Sequence, residues 1–376
     1  MYNVAHNELQ ARVLLNMVEG VGPIRANRLV SYFGGAVKIF SSNPAELSIA
    51  GEISDNLAKR ILSSGDVIDA DAEIEAARGM GVRIVTAEEI DYPPPLKHLN
   101  DPPVVLYVRG EFKKEDVHSV GIVGTRRPTQ YGKLVTEKLT REFAELGTAV
   151  VSGLARGIDT IAHSVTLKSC GRTFAVMGNG LGVHYPPENR KLEDSITKSG
   201  ALVSEFPLNC KPDRGNFPRR NRLIAALSLG VIVVEADEKS GALITARFAL
   251  EQGKDVFAVP GSILSRYSRG PHILLKNGAK LVESAADVVD EISVLGDWII
   301  KNAKKEKAAL ADTGLPILTS TEEVILDRVS MSPAGINIDM LFGTGDVPFG
   351  KLSEALMSLE MKGMIKALPG KAYIRT

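Results

Sequence analysis

The feature that most constrains the fold is a regular alternation of short apolar runs with amphipathic segments in the middle of the chain. Val- and Ile-rich runs such as SVGIVG at 119–124 and GVIVVEA at 230–236 are separated by stretches with helical spacing, such as residues 131–146. Strands buried on both faces of a parallel sheet have continuous apolar runs, and helical crossovers join them. The alternation therefore predicts an α/β fold with a Rossmann-like, doubly wound parallel sheet as its core.

The chain has 376 residues, which is enough for two or three domains. We assign the Rossmann-like core to residues 71–295. Residues 1–70 contain short apolar-periodic segments around a Gly-x-Gly turn, VEGVGP, and predict a helical domain of the helix-hairpin-helix or SAM-like kind. Such a turn either contacts DNA phosphates through its N–H groups or belongs to a packing module. Residues 296–316 include the charged, small-residue-rich stretch AKKEKAALADTG and are predicted to be a linker.

The last segment, residues 317–376, predicts a winged-helix-like domain. Helical patterns at 321–330 and 349–362 precede MIKALPGKAYIRT, a hairpin pattern with its turn at Pro369 and Gly370. One buried helix face is indicated by the i, i+3, i+4, i+7 spacing of Leu352, Ala355, Leu356 and Leu359.

The charge of the candidate recognition helix in this domain is balanced. Lys351 and Lys362 are offset by Glu354 and Glu360. A helix that enters the major groove is expected to be more basic. The domain is therefore predicted to contact protein, or duplex DNA weakly, and not to act as a sequence-specific repressor.

The composition limits where an anion could bind and where the protein could reside. Lys plus Arg and Asp plus Glu are equal at 45 each, so an anion site must come from local clustering. The two cysteines form no CxxC motif, which argues against a disulfide framework or a zinc ribbon. No basic segment followed by an apolar run and no stretch of membrane-spanning length is present. We expect a cytoplasmic protein without a membrane partner, and no metal or cofactor.

Small residues follow several of the predicted strands, at the sheet edge where ligands bind in folds of this type. Glycine lets backbone N–H groups approach an anion, and a helix N-terminus adds free N–H donors and a positive dipole end. A tight turn alone would explain any single glycine, so the basic residues beside these turns carry the inference. The turns contain Gly124, Thr125, Ser152, Gly153, Gly157, Asn179, Ser240 and Gly241.

Basic residues recur beside these turns and cluster in the stretch GNFPRRNRLIAALS. Arginine suits phosphates because its planar group donates two N–H bonds at once and stays charged. Six or seven such cations exceed the charge of one nucleotide, which favours a polymeric ligand. The predicted DNA-binding set is completed by Arg126, Arg127, Arg156, Phe217, Arg219, Arg220, Asn221, Arg222 and Lys239.

Two members of this set have alternative interpretations. The Phe217 ring either stacks on a base, which contributes roughly 1–3 kcal/mol, or packs in the core. Arg222 lies beside an apolar helical run and could instead pair with a core acid such as Glu235 or Asp159.

Catalysis has less support from the sequence. The glycine turns do not match the dinucleotide fingerprint, no P-loop is present, and the histidines form no metal-binding pair. Ser152, Asp159 and His163 share one segment without a GxSxG motif, so a catalytic triad is not supported. The main enzymatic alternative is a nucleoside monophosphate N-glycosidase that uses Glu205 or Glu235. A further alternative is a duplex-binding regulator that uses the flanking domains.

Several longer motifs follow one another between about residues 90 and 285. They are GIVGTRRPTQYG, VSGLARGIDTIAH, YPPENRKL, SEFP, FPRRNRLIAALS, SGALITARFALEQGKDVFAVPG and NGAKLV. In the order and spacing of these motifs the chain resembles the DprA (Smf) family of DNA-processing proteins.

The resemblance implies a recombination mediator that binds single-stranded DNA, protects incoming DNA, loads RecA during natural transformation and forms homodimers. It implies neither catalysis nor a cofactor. One departure is Asn179, which stands where many members of the family have Cys. The positions that match the DNA pocket of the family are Arg126, Gly153, Arg156, Gly157, Phe217, Arg219, Asn221, Arg222, Lys239, Ser240 and Gly241.

Overall fold

The computed structural model describes residues 7–312, 318–332, 335–342, 349–368 and 370–376. The chain divides into two compact units, Met1–Trp298 and Ile299–Thr376. Of the helices in the described part of the chain, none combines the length and the apolar character needed to cross a membrane.

The first unit begins with a helical module, as predicted. Four of its helices start at a polar N-cap whose side chain accepts a backbone N–H, namely Asn7, Asn43, Ser54 and Asp69. Apolar residues of the first five helices form one small core that includes Leu15, Leu29, Ile39, Leu47 and Ile61. The helices are α1 Glu8–Met17, α2 Pro23–Phe33, α3 Ala36–Ile39, α4 Pro44–Gly51, α5 Asp55–Leu62 and α6 Ala70–Gly79.

A nine-stranded sheet follows, and each apolar run that the sequence singles out is a strand of it. Two antiparallel pairings, β1 with β2 and β2 with β6, extend a parallel sheet whose spatial order is β1-β2-β6-β5-β4-β3-β7-β8-β9. The strands are β1 Arg83–Val85, β2 Leu106–Gly110, β3 Ser119–Val123, β4 Ala149–Ser152, β5 Thr173–Val176, β6 Gly200–Ser204, β7 Gly230–Val233, β8 Asp255–Ala258 and β9 Lys280–Leu281.

Helices connect the parallel strands, which makes the core doubly wound as predicted. The helix expected at 131–146, for example, spans Gln130–Glu145. The remaining helices of this part are α7 Pro94–Lys97, α8 Gln130–Glu145, α9 Ile158–Lys168, α10 Arg190–Ser199, α11 Asn216–Leu227, α12 Gly241–Glu251, α13 Arg269–Lys276, α14 Ala285–Glu291 and α15 Ser293–Asp312.

The direction of the chain through the sheet reverses at β3. From β3 the strands β4, β5 and β6 are added on one side, whereas β7, β8 and β9 are added on the other. The loops after β3 and β7 therefore diverge and leave a crevice beyond the carboxyl ends of these two neighbouring strands. This position is where the sequence placed its candidate site.

The second unit contains the helices and the hairpin that the sequence predicts for a winged-helix domain. The four apolar residues at helical spacing are all buried in its core. Strand β12 pairs with both β10 and β11, and Pro369, assigned to the hairpin turn, lies outside the described residues. The elements are α16 Ser320–Ser330, β10 Ile336–Asn337, α17 Ile338–Phe342, α18 Phe349–Met361, β11 Ile365–Leu368 and β12 Ala372–Arg375.

The segment assigned as a linker, residues 296–316, has a helical conformation that the sequence analysis did not predict. Helix α15, Ser293–Asp312, occupies most of that segment, and the remaining residues of the predicted linker lie outside the described part. The physical reason is composition, because a stretch rich in Ala, Lys, Glu and Leu has high helix propensity and low hydrophobicity at once. The same letters therefore suit a solvated helix as well as a linker.

Candidate nucleic-acid interface

A cavity of about 420 Å³ opens at the crevice between the loops that follow β3 and β7. We call it the switch-point cavity. Its wall is formed by the turn after β3, the first turn of α11 and the first turn of α12. The predicted binding residues that line it are Gly124, Thr125, Arg126, Arg127, Phe217, Arg220, Asn221, Lys239, Ser240 and Gly241.

Three of these residues supply exposed positive charge. Arg126, Arg127 and Lys239 are exposed, and no described residue forms an ion pair with them. A phosphate at the cavity would therefore meet cations that are not already neutralised by the protein. Ser240 is the N-cap of α12 beside the same cavity, and its side chain accepts the backbone N–H of Ala242 at 3.3 Å. The helix adds a positive dipole end to the site.

Beside the cavity, two neighbouring aromatic rings lie between two guanidinium groups. Arg126 lies 5.3 Å over the ring of Phe217, whose centroid is 5.8 Å from that of Tyr185, and Arg156 lies 6.0 Å from the Tyr185 centroid. A Cβ on Gly178 would approach the Phe217 ring to 2.6 Å, so glycine is needed there for the ring to occupy its place. Phe217 is half-buried and is therefore available both for packing and for contact with a base.

A narrower recess adjoins the switch-point cavity on the side of these rings. Phe217 and Arg126 line both, and the recess also takes in Gly153, Arg156 and Asn179 from the predicted set. Asn179 is buried, and its side-chain amide donates to the backbone oxygens of Gly180 at 3.0 Å and Val183 at 2.6 Å. It therefore shapes the loop after β5 more than it presents a free polar group.

Arg220 lines the cavity but is buried, unlike its exposed neighbours. Its guanidinium donates to the backbone oxygens of Gly153, at 2.7 Å, and Val176. A Cβ on Gly153 would lie 2.6 Å from that guanidinium, so the loop after β4 is built around it. Burial lowers the pKa of Arg220 to about 10, and the nearby Asp159 opposes the shift. The side chain holds the loops after β4 and β5 in place as well as bringing charge to the cavity wall.

Asp159 is the acidic counterpart of Arg220 in the cavity wall. It accepts the backbone N–H groups of Gly153 at 3.1 Å and Ala155 at 3.3 Å. Burial raises the pKa of Asp159 to about 6, although Arg220 and the backbone donors oppose the shift. His163 of the same helix bonds Thr173 through Nδ1 at 2.7 Å, and its burial lowers its pKa to about 3. The Ser152–Asp159–His163 set is therefore not arranged as a triad.

Arg222 is the clearest correction to the predicted site. It is buried on the far side of α11, where its guanidinium contacts Glu205 and, at 3.1 Å, Asp101. The expected ion pair with a core acid exists, but its partners are neither Glu235 nor Asp159. Helical geometry explains the separation, because successive residues of α11 point about 100° apart and Arg222 cannot share the face of Arg220.

Other predicted residues also lie outside the switch-point cavity. Ser152 is buried and donates to the backbone oxygen of Ile122 at 2.6 Å. Gly157 has φ of +81° and packs so tightly on the turn after β3 that a Cβ would be 2.7 Å from the carbonyl carbon of Arg126, so it positions that turn. Arg219 is exposed but lies over Phe206 and lines a different cavity.

Arg156 and Asn221 have protein partners of their own. The guanidinium of Arg156 forms a bidentate pair with Glu188 at 2.5 and 3.1 Å, and both side chains are about half exposed. Asn221 donates to the backbone oxygen of Gly241 at 3.1 Å and so ties α11 to the start of α12. Each residue borders the interface, but only Arg156 could exchange its partner for a phosphate.

The two carboxylates considered for catalysis are engaged in structure. Glu235 is buried and accepts the backbone N–H of Thr129 at 2.9 Å and its hydroxyl at 2.6 Å, which fixes the start of α8. Glu205 forms the buried pair with Arg222, outside the switch-point cavity. Within the described residues no cluster of side chains suits a metal ion.

The sequence analysis missed several residues at this site. Arg266 pairs with Asp237, and both line the switch-point cavity together with Tyr267. Tyr185, in the loop after β5, was also missed. The sequence feature that could have identified Tyr185 is an aromatic residue in a loop that follows the carboxyl end of a strand, where ligands bind in this fold.

Fold and site together define a Rossmann-like α/β protein with a cationic, partly aromatic cavity at its topological switch point, joined to a winged-helix unit. Comparison with known families identifies the core: DNA recombination-mediator protein A matches residues 83–293, and the DprA winged helix domain matches residues 308–371. The chain belongs to the DprA family of DNA recombination mediators, as the sequence motifs indicated.

Individual relatives agree with this assignment. The chain is 32% identical to Protein Smf of Synechocystis over 99% of its own length and 100% of that protein. It is 46% identical to DNA processing protein DprA of Bacillus subtilis over 58% of its length and 74% of that protein. The X-ray structure of DprA from Streptococcus pneumoniae superimposes with a TM-score of 0.66 and 33% identity, covering 75% of this chain and 98% of that one.

Proposed function

We propose that the protein is a non-catalytic mediator that binds single-stranded DNA at the switch-point cavity. The observation that carries the proposal is a set of three exposed cations at the carboxyl edge of the sheet, Arg126, Arg127 and Lys239, which have no acidic partner among the described residues. Phosphate contacts of this kind fix the position of a nucleic acid without distinguishing its sequence. Binding is therefore general with respect to sequence.

The aromatic side of the cavity favours a single strand over a duplex. The rings of Phe217 and Tyr185 lie next to the free cation Arg126, so a backbone held there would place its bases near the rings. A base can stack on such a ring only when it is not already paired and stacked in a duplex. Stacking of this kind contributes roughly 1–3 kcal/mol per base and tolerates every base.

We propose further that the bound strand is protected and handed to RecA in the cytoplasm during natural transformation. The support is membership of the recombination-mediator family together with the site described above. Loading would be measured as RecA-dependent strand exchange on DNA pre-coated with a single-strand binding protein. The proposal predicts faster exchange with the wild-type protein and no gain with Arg126→Gln/Lys239→Gln.

A homodimer is proposed from the apolar surface beyond the last core strands. Ile263, Leu264 and Leu281 are 84%, 92% and 50% exposed, and Leu281 belongs to the edge strand β9. Contiguous exposed apolar side chains mark interaction sites, and Ile263 and Leu264 are neighbours in the chain. Sedimentation of the wild type and of Leu264→Glu tests this, with a dimer expected only for the wild type.

The binding test compares single-stranded with duplex DNA of the same sequence at two salt concentrations. For single strands, log affinity falls by roughly 0.7 per neutralised phosphate for each log unit of salt. Three free cations at the cavity therefore predict a slope of about −2 for this part of the interface. Equal affinity for duplex and single strand would contradict the proposal.

A second candidate, an enzyme that cleaves the ribosyl bond of nucleoside monophosphates, is favoured by one observation. Asp159 lies in the wall of the switch-point cavity with a pKa raised to about 6 by burial, and such carboxyl groups can act as general acids or bases. Its two backbone N–H donors and Arg220 give it a structural task instead. Release of free base from AMP by the wild type, lost in Asp159→Asn, would favour the enzyme.

A further inference from the structure

A second and larger cavity, of about 830 Å³, lies between the helical module, the first half of α11 and the C-terminal end of α12. We call it the module cavity. It is lined by the turn before α2 and the end of α4 on one side, and by Arg219, Arg222 and Gln252 on the other. No described residue lines both this cavity and the switch-point cavity. Its volume is that of sites that hold small ligands.

The free charge in the module cavity is positive. Its three acidic residues all have partners: Glu52 pairs with Arg28 at 2.6 Å, Asp101 with Arg222 at 3.1 Å, and Glu251 with Arg247 at 3.4 Å. Two lining arginines, Arg25 and Arg219, have no ion-pair partner among the described residues. A ligand in this cavity would therefore meet two guanidinium groups whose charge is not neutralised.

The start of α2 contributes backbone donors to the same wall. Gly22 is the N-cap and provides no side-chain acceptor, and Pro23 occupies the first turn. The following N–H groups of the first turn lack a side-chain cap and carry the positive end of the helix dipole. Gly22, Pro23, Ile24 and Arg25 all line the cavity, and a Cβ on Gly22 would meet nothing within 4 Å.

Buried polar atoms in the opposite wall point independently to a missing partner. The Arg222 side chain is 5% exposed, and its Nη1 has no hydrogen-bond acceptor among the described residues. Gln252, which also lines the cavity, has no donor for its Oε1 within the same part of the chain. Buried polar groups are nearly always bonded, so this unpaired donor and acceptor leave hydrogen-bonding capacity unused directly behind the cavity wall.

Helices α11 and α12 connect the two cavities. Arg220 and Arg222, on different faces of α11, line the switch-point cavity and the module cavity, respectively. Along α12, Gly241 at the start lines the switch-point cavity, and Gln252 at the end lines the module cavity. The distance along α12 from Gly241 to Gln252 is about 16 Å at 1.5 Å per residue. A DNA strand that already fills the switch-point cavity must therefore extend by several more nucleotides to reach the module cavity.

We propose that the module cavity is a second phosphodiester site that holds the same DNA strand after it leaves the switch-point cavity. The proposal rests on the proposed single-strand binding function. Arg25, Arg219 and the first turn of α2 bind the backbone, and no base identity is recognised. The helical module is then part of the DNA-binding surface and not only a packing unit.

The test compares oligo-dT of about 4 and about 16 nucleotides, which bracket the usual site sizes of single-strand binding folds. For the long oligonucleotide, the ratio of the affinity at 0.1 M salt to that at 1 M salt should fall about 25-fold in Arg25→Gln/Arg219→Gln. The reason is that two lost phosphate contacts lower the salt slope by about 1.4. Binding of the short oligonucleotide stays at the wild-type level. The charge-matched control Arg141→Gln/Lys168→Gln, on exposed residues of α8 and α9, binds both lengths as the wild type does.

A second pair of variants keeps the fold intact by design. Gly22 has extended backbone angles and space for a side chain, and both Asp and Asn are good N-caps before Pro23. Gly22→Asp and Gly22→Asn should therefore fold equally well, but only the aspartate places negative charge at the proposed phosphate position. Weaker binding of the long oligonucleotide by Gly22→Asp than by Gly22→Asn supports the site.

The outcomes separate this inference from the function on which it rests. If the wild type binds neither oligonucleotide, the single-strand binding function fails. If the wild type binds both, and the arginine variant either matches it or loses both lengths equally, the module cavity is not a second site for the strand. Equal binding of the long oligonucleotide by the two Gly22 variants overturns the inference in the same way.

Discussion

Replacing Arg222 by methionine is expected to destabilise the core without weakening the binding of a short oligonucleotide at the switch-point cavity. The Arg222 guanidinium contacts the carboxylate of Glu205, whose side chain is 4% exposed and whose Oε1 has no partner among the described residues. Removing the guanidinium leaves a buried charge uncompensated. In buried pairs this costs about 3–5 kcal/mol.

The proton balance of Glu205 gives the same magnitude. Burial already raises the pKa of Glu205, although Arg222 opposes the shift. Without Arg222 the side chain can escape its charge by binding a proton. Protonating a glutamate of ordinary pKa, about 4.3, costs about 4 kcal/mol at pH 7 and about 1 kcal/mol at pH 5. The loss of stability in Arg222→Met should therefore be large at pH 7 and small at pH 5.

The assay is urea unfolding of the wild type, Arg222→Met and Arg222→Met/Glu205→Gln at both pH values. The added Glu205→Gln removes the orphaned charge, so most of the lost stability should return at pH 7. Asp101, the other partner of Arg222, is 26% exposed and can be solvated. A loss that is the same at both pH values and is not recovered by Glu205→Gln would refute the reasoning.

Two further predictions concern a surface pair and the winged-helix unit. Glu188→Gln should free Arg156 from its bidentate partner and steepen the salt slope of single-strand binding by about 0.7. The affinity at 0.1 M salt relative to that at 1 M should then rise about fivefold. An unchanged slope would exclude Arg156 from the interface. In the second unit, burial alone would raise the pKa of Glu322, but hydrogen bonds led by the one from Lys362 lower it to about 2. Because the pKa of Glu322 is lower in the folded state than in the unfolded state, its ionised side chain stabilises this unit above about pH 4.3. This contribution is lost as the pH falls towards 2, by at most about 1.4 kcal/mol per pH unit. Hydrogen exchange in this unit should follow that loss in the wild type and not in Glu322→Gln.

The sheet could be predicted from the sequence because its signals are local. A buried parallel strand is a short apolar run, and the amphipathic segment after it is a helix, so SVGIVG followed by residues 131–146 already specifies β3 and α8. The small residues between them place the site at the carboxyl edge. The order of the strands and the antiparallel addition of β1 and β2 are seen only in the structure.

The roles of neighbouring arginines could not be predicted, because they depend on distant partners. Arg220 and Arg222 both lie in FPRRNR, but Arg220 holds the loops after β4 and β5, whereas Arg222 pairs with Glu205 and Asp101. Helical spacing indicates that the two point in different directions. Which of them faces a cavity and which faces a carboxylate is decided by residues far away in the sequence.

The helical conformation of the predicted linker was missed for a related reason. Residues of α15 such as those in KNAKKEKAALAD are polar enough for a solvated linker and have the propensity for a solvated helix. Periodicity does not decide between the two, because a helix without a fixed apolar face has no hydrophobic period to detect. The structure settles the conformation where composition leaves it open.

The most direct test of the proposed interface is the salt dependence of single-strand binding after its free cations are removed together. The variant is Arg126→Gln/Arg127→Gln/Lys239→Gln, measured with oligo-dT against a charge-matched control at exposed residues near the C-terminal ends of three core helices, Arg141→Gln/Lys168→Gln/Lys198→Gln. Three lost phosphate contacts predict a slope shallower by about 2, with no change in the control. A slope that stays at the wild-type value in the cavity variant, or falls equally in the control, would contradict binding of DNA at the switch-point cavity.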